Sequence, residues 1–387
     1  MRTEILGRVP TDDVDSDSDA DAYAGRLGHH RARDGSRGAP VAVDFDRPHA
    51  GLVVGKRGYG KSYTLGVLAE AAARTHGVAP VVVDPMGVFR GLAAAVTGGA
   101  DPVPATVVAD PTVRADAIPP ERWPALVGAD ADDPVGALVW HAASTASTLS
   151  EMRAVVADAD ADPATVRAAR NRLRRAAAWE VFDPDGLDAR ALAGGEATVL
   201  DCSGLDDAPA NAVVAGVAAA LYRGRVGAAG GSDVGEPAID RLPWLVVDEA
   251  HAFFSGVAST PLHRILTRGR APGVSVVAAT QRPSALPDVA VSQSDLRVVH
   301  RLTAGPDLDA LAAADPAYLD GNLSGSMPTA PGEALVIDDT AEAVRTVAIR
   351  ERDTPHGGDS PRASSVPLDL PNTGSDRSPA HTATDRN

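Results

Sequence analysis

The sequence predicts an α/β fold, with a mostly parallel central sheet and a helical insertion. Three observations predict it. Residues 51–84 read as strand, glycine-rich loop, helix and strand in succession. Apolar runs of strand length return at 197–202, 244–247, 274–280 and 296–302, separated by helical or loop stretches. Between these groups lies a long stretch, 101–193, that begins rich in Pro and Asp and then turns helical.

Taken in order, residues 1–45 are polar, with D-S-D-S-D-A-D-A and R-L-G-H-H-R-A-R-D-G-S-R-G. They are read as a partly disordered arm. The His29–His30 pair has no partner ligands at useful spacing, so a metal site is not expected there. The ordered domain is expected over 46–353. Its first strand is 51–54, followed by a helix over 61–75 that Gly77 closes, and by the strand 80–84. Strand, helix and strand in that order predict parallel strands with a right-handed crossover. The insertion is placed at about 101–193, helical through 148–178. A helix is expected over 211–223, then a glycine-rich loop, G-A-A-G-G-S-D-V-G, before the strand 244–247. A helix at 261–268 precedes the strand 274–280. Residues 332–352 read as a strand pair around an I-D-D-T turn, and 354–387 as a disordered tail of Ser, Pro, Asp, Thr and Gly.

Composition sets the environment. The chain of 387 residues carries a formal net charge of −16. Asp supplies 41 of its 52 acidic residues. Of 36 basic residues 34 are Arg, and the two lysines are Lys56 and Lys61. Such a surface is expected of a protein working in molar salt, where the Debye length is only about 3 Å and dense charge repels itself little. A generic acidic protein would account for the acid but not for the missing lysine. The acidity therefore reports habitat, that of an extreme halophile, and does not exclude a nucleic-acid partner. The single cysteine, Cys202, makes no intrachain disulfide, and no apolar run approaches the length of a membrane span. With no signal-like amino terminus, a cytoplasmic protein without a membrane partner is expected.

Both lysines fall in one loop. G-K-R-G-Y-G-K-S, residues 55–62, fits G-x-x-x-x-G-K-[ST] between an apolar strand and a helix. Gly55, Gly58 and Gly60 let the backbone turn and aim successive N–H groups at a polyphosphate, and the helix that follows offers its positive end to the same anion. Lys61 reaches the β- and γ-phosphates of ATP, and Ser62 supplies a hydroxyl to Mg²⁺. Arginine is bulkier and prefers bidentate geometry, which explains why lysine survives here. Tyr59 and Tyr63 flank the pair as further nucleotide contacts, with the Tyr59 ring expected to point outward. Lys56 has three readings: a phosphate contact, a contact to a neighbouring subunit, or an ordinary loop residue.

The second half of the site is L-P-W-L-V-V-D-E-A-H, residues 242–251. An apolar strand that ends in Asp-Glu beside a phosphate loop would place Asp248 on Mg²⁺ and Glu249 as the base for the attacking water. Gln281, at the tip of the strand 274–280, is a candidate for sensing the γ-phosphate or positioning that water. Arg270, ahead of Arg268, is a candidate arginine finger acting across a subunit interface. The competing reading is an Arg-rich loop paired with surface Asp.

G-K-R-G-Y-G-K-S-Y-T, V-V-D-P-M-G, L-V-V-D-E-A-H, R-G-R-A-P-G-V-S-V-V-A-A-T-Q-R-P-S and S-Q-S-D-L-R-V-V-H-R-L stand in that order. Together they resemble the HerA/FtsK superfamily, and most of all the HerA central domain, over roughly 48–100 and 194–350. The resemblance implies a RecA-like P-loop NTPase core, a hexameric ring and ATP-driven movement of double-stranded DNA, with a nuclease or packaging partner as a further expectation. It also implies roles by position: Lys61 and Ser62 on phosphate and Mg²⁺, Asp248 and Glu249 as the Walker B pair, Gln281 as sensor and Arg270 as finger. Two departures stand out. HerA proteins usually carry an amino-terminal β-barrel, where this chain has a short polar segment. The usual D-P-H-G-E-Y reads D-P-M-G-V-F at 84–89, without its acidic residue.

The strongest basic cluster is R-A-A-R-N-R-L-R-R at 167–175, where Arg167, Arg170 and Arg174 share one helical face. Two readings stand: contacts along nucleic-acid phosphates, or an ion-pair face between subunits. Three function classes follow: a DNA translocase or helicase-like motor, an ATPase of the same kind driving protein transfer or assembly, and an ATP-dependent switch without transport.

Overall fold

A computed structural model of the chain describes residues 2–9, 20–32, 34–96, 101–228, 238–314, 318 and 323–358. Contacts group Met1–Gly357 into one compact unit. The expectations for residues 15–19, for most of the glycine-rich loop at 229–237 and for 359–387 lie outside the described residues.

The strands are β1 (Glu4–Leu6), β2 (Ala24–Arg31), β3 (Arg37–Asp44), β4 (Ala50–Val54), β5 (Val78–Asp84), β6 (Ala105–Val108), β7 (Ala197–Asp201), β8 (Leu242–Val247), β9 (Ser275–Thr280), β10 (Leu296–Val299), β11 (Glu333–Asp338) and β12 (Ala343–Ile349). The helices are α1 (Lys61–Arg74), α2 (Trp123–Leu126), α3 (Pro134–Thr145), α4 (Leu149–Ala157), α5 (Pro163–Ala177), α6 (Ala189–Ala193), α7 (Asp207–Ala228), α8 (His251–Phe254), α9 (Ser259–Arg268), α10 (Asp288–Ser292), α11 (Gly305–Ala312) and α12 (Leu323–Ser326).

Among the described residues all twelve strands join one sheet, in the order β1-β3-β2-β12-β11-β10-β4-β9-β8-β5-β7-β6. From β10 to β6 every neighbour is parallel. β10 to β3 is antiparallel throughout. The parallel strands read as continuous apolar runs because both faces are covered. In β4, Leu52 and Val54 face one core and Val53 the other; in β8, Leu245 and Val247 oppose Trp244 and Val246. α7 and α9 pack on the first face and α1 on the second.

The structure corrects several expected boundaries. The described part of the amino-terminal arm is sheet: β2 and β3 form a hairpin whose Leu27, Val41, Val43 and Phe45 are buried, and β2 pairs with β12. Four apolar residues, spaced to one side, suffice because α1 and Trp244 already offer an apolar surface there. The insertion begins later than expected, since β6 is the edge strand beside β7. Its expected long helix is two helices, α4 and α5. D-A-D-A-D-P at 158–163 separates them: Asp162 caps α5 by accepting from the N–H of Ala164 and Thr165, and Pro163 starts it. The insertion leaves and rejoins the core side by side, with Val113 N–H donating to Val181 and Asp183 N–H donating back to Val113. The folded chain continues past the expected boundary at 353: Thr354 is buried and Gly357 N–H donates to the Val88 carbonyl.

Candidate nucleotide site

The site is built at the carboxyl ends of the parallel strands. β4 runs into the glycine loop and the loop into α1. Gly58 and Gly60 have φ of 80° and 112°, a region that a side chain would strain. Gly60 is the cap of α1, yet no side chain caps this helix, and its first turn holds no acidic residue. Other helices of the chain are treated differently: Thr148 and Glu151 form a capping box on α4, and Asp188 caps α6. The start of α1 thus keeps its orphan N–H groups and positive end for an external anion.

Lys61 is buried beneath this loop. Burial pulls its ammonium below the usual lysine range, while the charges of Glu249 and Asp248 push it back up. Ser62 Oγ donates to Asp248 Oδ2 at 2.7 Å. Asp248 is 1% exposed, and burial raises its pKa against the lowering effect of that bond. Its other oxygen accepts from Glu249 N–H at 2.9 Å.

β9 stands between β4 and β8 in the sheet. Asp248 still meets Ser62 because α1 starts above the intervening strand. β9 in turn delivers Gln281: the pairing of Val54 with Thr280 sets that residue beside the start of the loop, half-buried and without a side-chain hydrogen-bond partner among the described residues.

Glu249 is a non-glycine residue at φ 47°, in the left-handed region, and its Oε2 is buried with no hydrogen-bond partner among the described residues. A strained, unsatisfied carboxylate is costly in a fold that needs it for packing alone. His251 Nδ1 stands 3.4 Å from that oxygen and 3.2 Å from Thr280 Oγ1.

The other expected contacts separate. Tyr63 turns its hydroxyl away from the loop to accept from Arg352 N–H at 2.7 Å, which leaves its backbone N–H for a nucleotide. The Tyr59 ring is half-buried, with Lys56 Nζ over it at 4.4 Å. That contact, with Lys56 N–H donating to the Arg301 carbonyl, gives the second lysine a local role. Arg270 precedes β9, at the amino ends of the central strands and so at the opposite end of the sheet from the phosphate loop. It stands 3.5 Å from Asp295, which also accepts from Ala50 N–H at the start of β4, and its side chain is 80% exposed. It cannot reach the loop of its own chain.

His300 was not expected. It follows β10 and is fully buried under the loop. Nδ1 bonds the Glu333 carbonyl and Nε2 the Thr64 hydroxyl, both at 2.9 Å, so the neutral ring donates to the first and accepts from the second. Burial lowers its pKa to about 4. A Cβ on Gly55 would lie 2.6 Å from the His300 Cβ, which explains the glycine. The available signal was an ionisable residue ending an apolar strand.

The residues fit Mg²⁺ as part of a nucleotide complex. One hydroxyl and one carboxylate are bonded to each other, in a site where the ion keeps waters and takes phosphate oxygens. No cluster of three or more His, Cys, Asp or Glu able to hold a metal occurs among the described residues.

No family model matches the chain, and no curated protein does. Solved structures do. VirB4 of Thermoanaerobacter pseudethanolicus superposes with a TM-score of 0.61 at 17% identity, covering 84% of this chain and 96% of that one. The fold is that of a RecA-like P-loop ATPase. The bacterial conjugative coupling protein TrwB superposes on this ATPase fold with a TM-score of 0.51 at 16% identity, covering 92% of this chain and 99% of that one. None of the helices among the described residues is long and apolar enough to cross a membrane.

Proposed function

We propose that this chain is an ATP-hydrolysing motor of the HerA/FtsK type, a homohexameric ring that moves double-stranded DNA. The observation that carries the reading is the bonded pair Ser62–Asp248 beside buried Lys61 and the unsatisfied Glu249 carboxylate, all at the mouth of an uncapped helix. The motif order and the likeness in fold to a conjugative coupling protein support it.

Roles follow from position. The amides of the loop and of the first turn of α1, with Gly55, Gly58, Gly60 and Tyr63 among them, bind the phosphates. Lys61 neutralises the terminal ones. Ser62 and Asp248 hold Mg²⁺, which when bound withdraws charge from the transferred phosphoryl group. Glu249 takes the proton of the attacking water, with His251 beside its carboxylate. Gln281 orients that water. Arg270, at the amino ends of the central strands, serves a neighbouring subunit, and the ring is what brings it to a phosphate.

Lys61→Ala is expected to weaken ATP binding by about 10- to 100-fold in calorimetry. Glu249→Gln should bind ATP as the parent does and turn over slower by on the order of 10²–10⁴-fold. Parental turnover in Glu249→Gln would remove the base. The DNA assignment is tested by phosphate release with and without linear duplex DNA in molar KCl. Hydrolysis that DNA never stimulates points instead to protein transfer or assembly.

A further inference from the structure

α4 and α5 form an antiparallel hairpin, and its charges are segregated. The turn carries Asp158, Asp160 and Asp162. The opposite end opens into a cleft lined by Ser150, Arg153, Ala154, Arg170 and Arg174. No carboxylate is among the lining residues, in a chain with 52 acidic side chains. The three guanidinium groups are exposed and have no hydrogen bond or ion pair among the described residues. Their neighbours on α5 are engaged: Arg172 Nη1 donates to the Val127 carbonyl at 3.0 Å and Arg175 Nη2 to the same carbonyl at 2.7 Å. The helix dipole accounts for a cation at Arg174, in the last turn of α5, but not for Arg170 or for Arg153 on α4.

The Glu151 carboxylate, near the cleft in sequence, is spent on the capping box, where it accepts from Ser147 and Thr148 N–H. That carboxylate therefore does not line the cleft. Ser150 and Ala154 are small, so a chain of anions can approach between the arginines. On α5, Arg170 and Arg174 are one helical step of four residues apart, about 6 Å. That is a spacing at which two groups meet successive phosphates of one strand.

We propose that this cleft grips the phosphate backbone of duplex DNA. The inference rests on the motor reading above and assigns its nucleic-acid contact. Arginine suits molar salt, because its bidentate hydrogen bonds to phosphate survive screening better than a point charge does. The insertion leaves the sheet after β6, at the same carboxyl edge as the phosphate loop, and its neck is seated on α7. There the Val113 side chain would lie 2.8 Å from a Cβ at Gly216. A load on the cleft is thus carried to the core that holds the nucleotide.

The experiment is anisotropy of a labelled linear duplex with the full chain across a KCl series. It compares the parent, the triple variant Arg153→Gln/Arg170→Gln/Arg174→Gln, the matching triple Lys variant, and Arg47→Gln as a control. Thermal melts report folding, and Arg170→Glu alone, at an exposed position, serves if the triple variant melts early. The Gln variant is expected to bind about 10- to 100-fold more weakly and to lose about 2–3 from the slope of log K against log salt; the Lys variant keeps most of the slope, and Arg47→Gln binds as the parent does. A parent that binds duplex and a Gln variant with the same affinity and slope overturn the cleft and leave the motor reading standing. A parent that binds no duplex at any salt overturns the DNA reading, and the cleft with it. A Gln variant that changes the oligomeric mass in light scattering, with DNA binding unaltered, assigns the arginines to an acidic segment of a second copy and overturns the proposal.

Discussion

His251 touches two functional strands at once: Nδ1 lies 3.4 Å from Glu249 Oε2 and 3.2 Å from Thr280 Oγ1, one residue before Gln281. It is placed to hold the proposed base in line with the strand that carries the proposed sensor. His251→Ala is expected to lower kcat by about 10- to 100-fold with little change in ATP affinity. A loss confined to affinity would show that His251 positions nothing. His300 acts from below the loop. Its pKa near 4 lies below the ordinary 6.5, so the fold favours the neutral ring. The stability it contributes is fully present above pH 6.5 and is lost as pH falls toward 4, about 3 kcal/mol in all. His300→Asn, whose amide can still donate to the Glu333 carbonyl, should unfold in urea with a flatter pH dependence in that window. Equal slopes for parent and variant would contradict the assignment. Lys61, Ser62, Asp248 and Glu249 were legible in the sequence because their chemistry admits few other residue types at that spacing. The two histidines were not, because what each does depends on groups 29 to 236 residues away in the chain.

At the scale of elements, the segment after β12 straps α1. Glu70, in the middle of α1, is fully buried. It receives Arg350 Nη1 at 2.8 Å, Thr354 Oγ1 at 2.6 Å, Thr354 N–H at 3.0 Å and Asp353 N–H at 3.2 Å, with Arg352 Nε at 3.4 Å. Arg352 N–H also holds the Tyr63 hydroxyl, and His356 stands edge-on to that ring at 5.3 Å. The helix that follows the phosphate loop is therefore fixed by the far end of the folded chain. Glu70→Ala leaves two guanidinium groups without their carboxylate and is expected to cost about 3–5 kcal/mol in urea unfolding. A cost under about 1 kcal/mol would mean that the strap contributes little. The end of this strap, 354–357, and the β2–β3 hairpin were expected as the start of a tail and as an arm. Few apolar residues mark either segment; each is ordered by a surface that another part of the chain supplies. The strands 51–54, 244–247 and 274–280 were legible because a strand buried on both faces must be apolar throughout.

Across the whole molecule, a net charge of −16 on the chain predicts a stability that depends on salt. Self-repulsion between acidic side chains is screened as the Debye length falls from about 10 Å to about 3 Å. Tm is expected to rise steadily from about 0.1 to about 1 M KCl. A flat or falling Tm would detach the acidic composition from stability in salt. The sequence by itself determined the α/β class, the phosphate loop and the Asp-Glu strand end, because each is a local pattern in which backbone geometry and side-chain chemistry coincide. Tertiary structure alone decided that β9 separates the two motifs, that Arg270 faces away from its own loop, and that His300 and Glu70 brace α1. These are contacts between distant segments, and burial gives them their energy. Only folding places one segment against another, so no local spacing announces them.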